Sequence, residues 1–253
     1  MSPPVIVRAR GLGLAYPGGA EALAGVDLEV RRGELLTIVG PSGCGKSTLL
    51  RAIAGLQRPT AGALEAPPPG GAAPVAFVFQ DPTLLPWRRI VDNVALPLEL
   101  AGQPAAPRRA AALAALEKVG LADAAALYPD ALSGGMKMRA SLARAIVTAP
   151  ALLLLDEPFG ALDELSRRAL GEVLIDLWRA ADFTAILVTH SLLEAATVGS
   201  RVVVMGRRPG TILDDVAVDL ERPRGLDRGH GAALLEVVGR LEGSLAAGAG
   251  EVR

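Results

Sequence analysis

Three short clusters hold the residues best suited to chemistry. The first, Gly40-Pro41-Ser42-Gly43-Cys44-Gly45-Lys46-Ser47-Thr48, is a G-x4-G-K-[ST] pattern. Phosphate oxygens need several backbone N–H donors converging on one point, and glycines let the main chain approach without side-chain clash. Lys46 is placed to reach the β- and γ-phosphates of a nucleotide, and the Ser47 hydroxyl to hold Mg²⁺. Cys44, the only cysteine, lies inside this loop beside a cation. Its thiol is either activated by that charge or a small filler.

The second cluster is the pair Asp156 and Glu157, which follows the apolar run Leu152–Leu155 and precedes Pro158. In open parallel sheets ligands bind beyond the C-terminal ends of the strands. Asp156 is then in reach of a Mg²⁺ shell through water, and Glu157 is positioned to take a proton from an attacking water. The third cluster, Leu132-Ser133-Gly134-Gly135, opens a helical pattern (KMRASLARAIVT) with Ser133 as N-cap. Capping accounts for Ser133 but not for the glycines, which are poor inside a helix. A Ser-Gly-Gly entry exposes backbone donors and a positive dipole end, a second anion site. Two such sites mean either two bound phosphates or one phosphate gripped by two chains.

The elements that must position these clusters read as an α/β domain with a largely parallel sheet. Strands are expected at Val5–Arg8, Gly25–Val30, Leu35–Val39, Val75–Phe79, Leu152–Leu155, Ala185–Val188, Arg201–Met205 and Gly210–Val218. LLTIVG, LLLLDE and AILVTH are continuously apolar, as strands buried on both faces should be. Helices are expected at Lys46–Gly55, Pro107–Val119, Gly134–Thr148, Glu164–Ala181 and Leu192–Gly199, with a last, poorly anchored one at Gly231–Leu245. Ile90–Thr148 is Ala-rich and nearly strand-free, a helical insertion. The Pro/Gly/Ala-rich stretch Ala61–Pro74 reads as a surface loop.

Composition narrows the field. The 253 residues are 51% hydrophobic but only 3% aromatic, so the core is built from Ala, Leu and Val. No run approaches the ~20 apolar residues of a spanning helix. The N-terminal MSPPVIVRARGLG lacks an apolar signal core, so export is not expected. With 26 Lys+Arg against 27 Asp+Glu, the charge balance lacks the basic excess of a dedicated nucleic-acid binder. One cysteine excludes an intramolecular disulfide and a multi-cysteine zinc site.

From Tyr16 to about Arg224 the chain resembles the ATP-binding subunits of ABC transporters, with LSGGM at Leu132–Met136 in the place of that family's signature motif. The resemblance implies a phosphate-loop NTPase core with a mainly parallel sheet, an antiparallel N-terminal β subdomain and an inserted α-helical subdomain at about 90–148. It implies one ATP-binding domain over residues 5–238 and a tail over 239–253. It also implies a head-to-tail dimer, a homodimer on this reading, in which Ser133, Gly134 and Gly135 of one chain face the γ-phosphate held by the other. In LAYPGG, Tyr16 resembles the aromatic that stacks on adenine; a surface tyrosine is the competing reading. Gln80 in FVFQDP resembles the glutamine that senses Mg²⁺ and the attacking water. Asp163 in FGALD resembles the residue that communicates across the dimer, with a helix N-cap in competition. His190 in LVTHS resembles the switch histidine at the γ-phosphate.

QDPTLLPWRRIVDNVALPLEL, Met136 after LSGG, and RRPGTILDDVAVDLERPR resemble the nitrate/sulfonate/taurine import branch. That branch implies ATP and Mg²⁺ as cofactors, transmembrane permease subunits, an extracytoplasmic solute-binding protein and no nucleic acid. The chain is then a peripheral subunit at the cytoplasmic face of the inner membrane. The permease is expected to dock near Gln80–Asn93, where Trp87, Arg88 and Arg89 stand; an ordinary solvated turn is the alternative. The short Ala61–Pro74 stretch suggests a trimmed β subdomain. A lipid-handling ABC subunit and a non-transport ABC ATPase acting on nucleic acid are the competing functions.

Overall fold

The computed structural model describes residues 3–68, 74–181, 183–225 and 230–250, the side chains of 249 and 250 excepted. Two compact units divide the chain: Met1–Gly71 with Thr184–Arg253, and Ala72–Phe183.

In the first unit, β1 (Val5–Ala15), β2 (Glu21–Arg31) and β4 (Ala61–Glu65) form an antiparallel sheet in the order β2-β1-β4. On β2 the buried Val26, Leu28 and Val30 alternate with exposed Asp27, Glu29 and Arg31, the period-two pattern of a half-buried sheet. A second group runs β7 (Thr184–Thr189), β3 (Leu35–Val39), β8 (Arg201–Met205) and β9 (Ile212–Ala217). β3 lies parallel to both neighbours and β9 antiparallel to β8. Every residue of β3 is buried, and its one polar residue, Thr37, has its hydroxyl within bonding distance of the Ala195 and Arg201 carbonyls. Three helices belong to this unit: α1 (Lys46–Ile53), α6 (Leu192–Val198) and α7 (Gly231–Gly250).

The second unit pairs β5 (Val75–Val78) in parallel with β6 (Leu152–Asp156). Its helices are α2 (Ile90–Leu100), α3 (Ala105–Lys118), α4 (Gly134–Ile146) and α5 (Glu164–Ala180), with single 3₁₀ turns at Ala122–Ala124 and Pro129–Ala131. α2, α3 and α4 pack together, and α4 also packs on β5 and α5.

β1 and β2 run longer than expected, and three further features depart from the expectations. Within the stretch read as a loop, Ala61–Glu65 is strand β4, so the antiparallel sheet keeps three strands. Its ladder comes from β1, and Gly62 (φ 73°) fits where a Cβ would stand 2.2 Å from the Gly11 carbonyl. Residues 69–73 of that stretch lie outside the described residues. Second, Ile90–Leu100 forms a helix of its own, and Pro97 sits in its last turns. Third, α7 is firmly anchored: Leu234 and Leu241 are fully buried with Val39, Val204 and Val216. Just before it, the Arg224 guanidinium donates to the carbonyls of Ala196, Gly199, Val218 and Leu220, tying the end of α6 to the segment after β9.

Candidate functional site

In the first unit the buried β3 delivers the chain into the loop Gly40–Gly45, and α1 begins at Lys46. Glycine is required by crowding. A Cβ at Gly40 would stand 2.5 Å from the Met205 carbonyl oxygen, and one at Gly45 (φ 105°) 2.7 Å from that of Ala22. The first turn of α1 carries no acidic residue, so its unsatisfied N–H groups and positive dipole end favour an anion. Lys46 is buried and folds back, its Nζ donating to the carbonyls of Gly40 (2.8 Å) and Pro41 (3.1 Å). That places an ammonium across the loop. Ser42 and Gly43 are exposed at the rim, and Ser47 is half-buried.

Cys44 is buried, and its Sγ would be 2.9 Å from a Cβ on Gly40, so the thiol packs against the start of the loop. Tyr16 stands in the turn between β1 and β2, its hydroxyl 2.8 Å from Thr48 Oγ1. That hydrogen bond lowers the phenol below its ordinary value, with Gln57, Arg51 and Arg208 adding to the effect against a smaller opposing contribution from burial. The ring is thus docked beside the first turn of α1 while remaining partly exposed. His190 follows β7 and is exposed; with Gly40 and Pro41 it lines a cavity of about 210 Å³. Tyr16, residues 40–48 and His190 are therefore brought together within this unit.

In the second unit, β6 ends on the buried Asp156, and Glu157 follows with φ 47°. A left-handed conformation costs a side chain of this kind about 1–2 kcal/mol. Such strain concentrates where a side chain must be aimed. Glu157 and Gln80 are aimed at one place. A Cβ built on Gly160 would stand 3.8 Å from Glu157 Oε2 and 3.7 Å from Gln80 Nε2.

Ser133 caps α4, its hydroxyl accepting from the Met136 amide at 3.3 Å. Asp163 caps α5, accepting from the Ser166 amide (2.9 Å) and hydroxyl (2.6 Å). These hydrogen bonds hold the Asp163 carboxyl below its usual range. The two caps touch through Ser166, since a Cβ on Gly135 would be 3.0 Å from Ser166 Oγ. Gly135 is therefore needed for close helix approach. Gly134 has no such reason, because only Leu162 comes within 4 Å and the residue is exposed.

Two polar anchors were not legible in the sequence. Arg144 of α4 donates to the carbonyls of Pro82 (2.7 Å) and Thr83 (2.8 Å), fixing the segment after Gln80; burial lowers its basicity. Asn93 of α2 is fully buried. Its Oδ1 accepts from the Leu85 amide (2.7 Å), and its Nδ2 faces the carbonyls of Leu85, Arg88 and Arg89 at 3.0–3.2 Å. The loop so pegged presents Trp87 at 72% exposure. Arg88 forms a forked pair with Glu99, and Arg89 lies over the Tyr128 ring. An arginine near a helix end and an asparagine inside a helix carry no signal until the loops that offer the carbonyls are placed.

Among the described residues no group of three or more His, Cys, Asp or Glu gathers to hold a metal. Mg²⁺ does not need one. It is typically held by one or two carboxylates together with substrate phosphates and water. The Ser47 hydroxyl and Asp156 carboxylate are hard oxygen donors of that kind.

Comparison with known proteins gives concordant results. A family model described as ABC transporter matches residues 23–160. An aliphatic sulfonates import ATP-binding protein of Pseudomonas putida (strain KT2440) is 46% identical over 252 residues, covering 94% of this chain and 88% of that protein. A similarly described protein of Albidiferax ferrireducens is 49% identical over 82% of this chain and 73% of its own length. Among solved structures, a dimeric ATP-binding cassette in a post-hydrolysis state bound to ADP and Pi aligns with TM-score 0.74 and 29% identity, over 85% of this chain and 100% of that one. A Clostridium perfringens protein described as part of an ABC transporter complex aligns with TM-score 0.77 and 25% identity, over 94% of this chain and 99% of that one.

Proposed function

Since the chain belongs to the ABC transporter family, we propose that it is the ATP-hydrolysing subunit of an importer of aliphatic sulfonates. The observation that carries this reading is the presence, in one chain, of two anion-accepting helix starts. One bears Lys46; the other is an exposed Ser133–Gly134 entry whose Gly134 no internal contact requires. Two copies arranged head to tail use both starts on each nucleotide. A similar cassette bound to ADP and Pi is dimeric, which supports a pairing of two chains.

In the proposed cycle Tyr16 stacks on adenine, and main-chain N–H groups of Ser42–Thr48 together with the Lys46 ammonium hold the phosphates. His190 hydrogen-bonds the γ-phosphate. Glu157 takes a proton from the attacking water while Gln80 orients that water. The water oxygen then bonds to the γ-phosphorus and the bond to the ADP oxygen breaks. Ser47, Asp156 through water, and Gln80 are the residues that would hold Mg²⁺, which when bound neutralises phosphate charge. Asp163, capping beside the partner-facing Ser133–Gly135, links hydrolysis to the dimer interface. A transmembrane permease, docked at the Trp87 loop pegged by Asn93, converts closure and reopening into transport, and an extracytoplasmic binding protein delivers the solute. The subunit then sits peripherally at the cytoplasmic face of the inner membrane; no helix among the described residues is long and apolar enough to cross one. The near-neutral charge balance argues against a nucleic-acid role, and the sulfonate-import relatives argue against lipid handling.

Proteoliposomes carrying this protein with its permease and binding protein test the reading. ATP-dependent uptake of an alkanesulfonate, abolished by Lys46→Ala, is the expected result. Robust ATP hydrolysis without sulfonate-stimulated uptake would overturn the cargo assignment.

A further inference from the structure

The sequence Arg207-Arg208-Pro209-Gly210 lies between β8 and β9 and has no part in the cycle above. This hairpin loop is docked against the phosphate loop at three points. Gly40 passes so close to the Met205 carbonyl that a Cβ would stand 2.5 Å from it. Gly210 passes under Cys44, and a Cβ there would be 2.2 Å from the Cys44 carbonyl oxygen. Between these, Arg208 Nε donates to the Gly43 carbonyl at 2.7 Å. The guanidinium lies along Gly43, with Nη2, Nε and Cζ 3.7–3.9 Å from where a Cβ would be.

The hairpin is itself fixed. Gly206 donates to the Thr211 carbonyl (2.9 Å), Gly210 to that of Ala22 (2.9 Å), and Ala24 to that of Gly210 (3.1 Å). Its turn is thus joined to β2, while Arg207, Arg208 and Pro209 remain exposed.

The peptide between Gly43 and Cys44 is planar, so orienting its carbonyl orients its N–H in the opposite sense. Arg208 holds the carbonyl end, and the Cys44 amide donates to the Pro41 carbonyl at 3.2 Å. Lys46 Nζ donates to that same Pro41 oxygen. Arg208, the Gly43–Cys44 peptide, Pro41 and Lys46 form one connected chain of hydrogen bonds, in which a cation polarises the carbonyl and strengthens the linked donor. We propose that Arg208 is a positioning residue of the phosphate loop, setting the affinity for a nucleotide's phosphates through the Gly43–Cys44 peptide. The proposal rests on the loop being the nucleotide site.

Because the contact is to the loop and not to a particular phosphate, its loss affects ATP and ADP alike. The experiment is calorimetric titration of the full chain with ATP and with ADP, alongside steady-state hydrolysis. R208A is expected to raise Kd for both nucleotides about five- to tenfold, the scale of one ordinary net hydrogen bond, the charge on the exposed guanidinium being screened by water. The KM rises in parallel, kcat at saturation is retained, and R208K recovers part of the affinity. R208Q carries the same expectation as R208A should that variant fold poorly. Wild-type Kd values for R208A, or a loss confined to ATP, would overturn the proposal. Lys46→Ala in the same titration separates the two failures. If it too binds normally, the pocket assignment is wrong; if it alone loses binding, only the role of Arg208 is wrong.

Discussion

Glu157 offers a perturbation whose two effects have opposite signs. Its backbone is held at φ 47°, which costs a non-glycine residue about 1–2 kcal/mol. Glu157→Gln keeps that conformation and nearly the same shape but removes the proposed base. The expected loss in turnover is about 10²–10⁴-fold. At 1.36 kcal/mol per tenfold this is about 2.7–5.5 kcal/mol of barrier. Glu157→Gly removes the same base and also relieves the strain, offset by about 0.5–1 kcal/mol of extra chain freedom in the unfolded state. The glycine variant is therefore expected to be more stable than the glutamine variant by up to about 1.5 kcal/mol. For a chain of this size that is a rise of up to about 6 °C in melting temperature. Thermal unfolding of the two variants beside wild type, with ATPase rates on the same samples, makes the comparison. A glycine variant that melts below the glutamine variant would refute the idea that the chain carries backbone strain here to aim the carboxylate. Undiminished turnover in either would remove Glu157 as the base.

Asn93→Ala strips the Leu85 amide and the Arg88 carbonyl of this partner, while the carbonyls of Leu85 and Arg89 keep the amides of Arg88 and Asn93, and is expected to cost about 1–3 kcal/mol. Faster amide exchange at 85–89 should accompany it, and unchanged exchange there would mean the peg is dispensable. Cys44 is buried, so thiol alkylation of the native protein should be slow both with and without ATP; rapid labelling that ATP blocks would put the thiol in the pocket. Asp214 accepts from the Ser244 hydroxyl at 2.7 Å, which holds its carboxyl below its ordinary value. Its folded pKa is depressed, so its stabilising contribution is present above the unfolded pKa and fades as pH falls through the folded one. Ser244→Ala should therefore narrow the stability gap between neutral and acid pH, and an unaltered acid limb would discount the contact.

The parts of this fold that were legible are those where burial dictates residue type. β3 and β6 are buried throughout and almost wholly apolar, and they point to the residues at their ends, Gly40 and Asp156. Gly-Lys-Ser and Leu-Ser-Gly-Gly were readable as motifs, and crowding leaves no room for a side chain at Gly45 and little at Gly135. β4 was not, since its ladder comes from β1 and most of its side chains are exposed. β1 and β2 were read too short because register shifts near Gly11 and Gly25 break the alternation. α2 was hidden by Pro97, tolerated within a helix that buries Ile90, Val91 and Val94. Arg144 and Asn93 each take meaning from carbonyls presented by a separate loop, and no local pattern encodes that. Asp163 shows the reverse difficulty, for its capping bonds are plain while the role proposed for it toward a second chain is not expressed within one.

The sandwich of each nucleotide between two chains is tested most directly at Gly134. Its exposed position and open surroundings let a side chain be added without disturbing α4. Sedimentation of Glu157→Gln with ATP should show a stable dimer. The same variant carrying Gly134→Glu should bind ATP with unchanged Kd yet stay monomeric, because the added carboxylate meets the γ-phosphate held by the other chain. A double variant that still dimerises, or one that loses ATP binding as a monomer, would contradict the account.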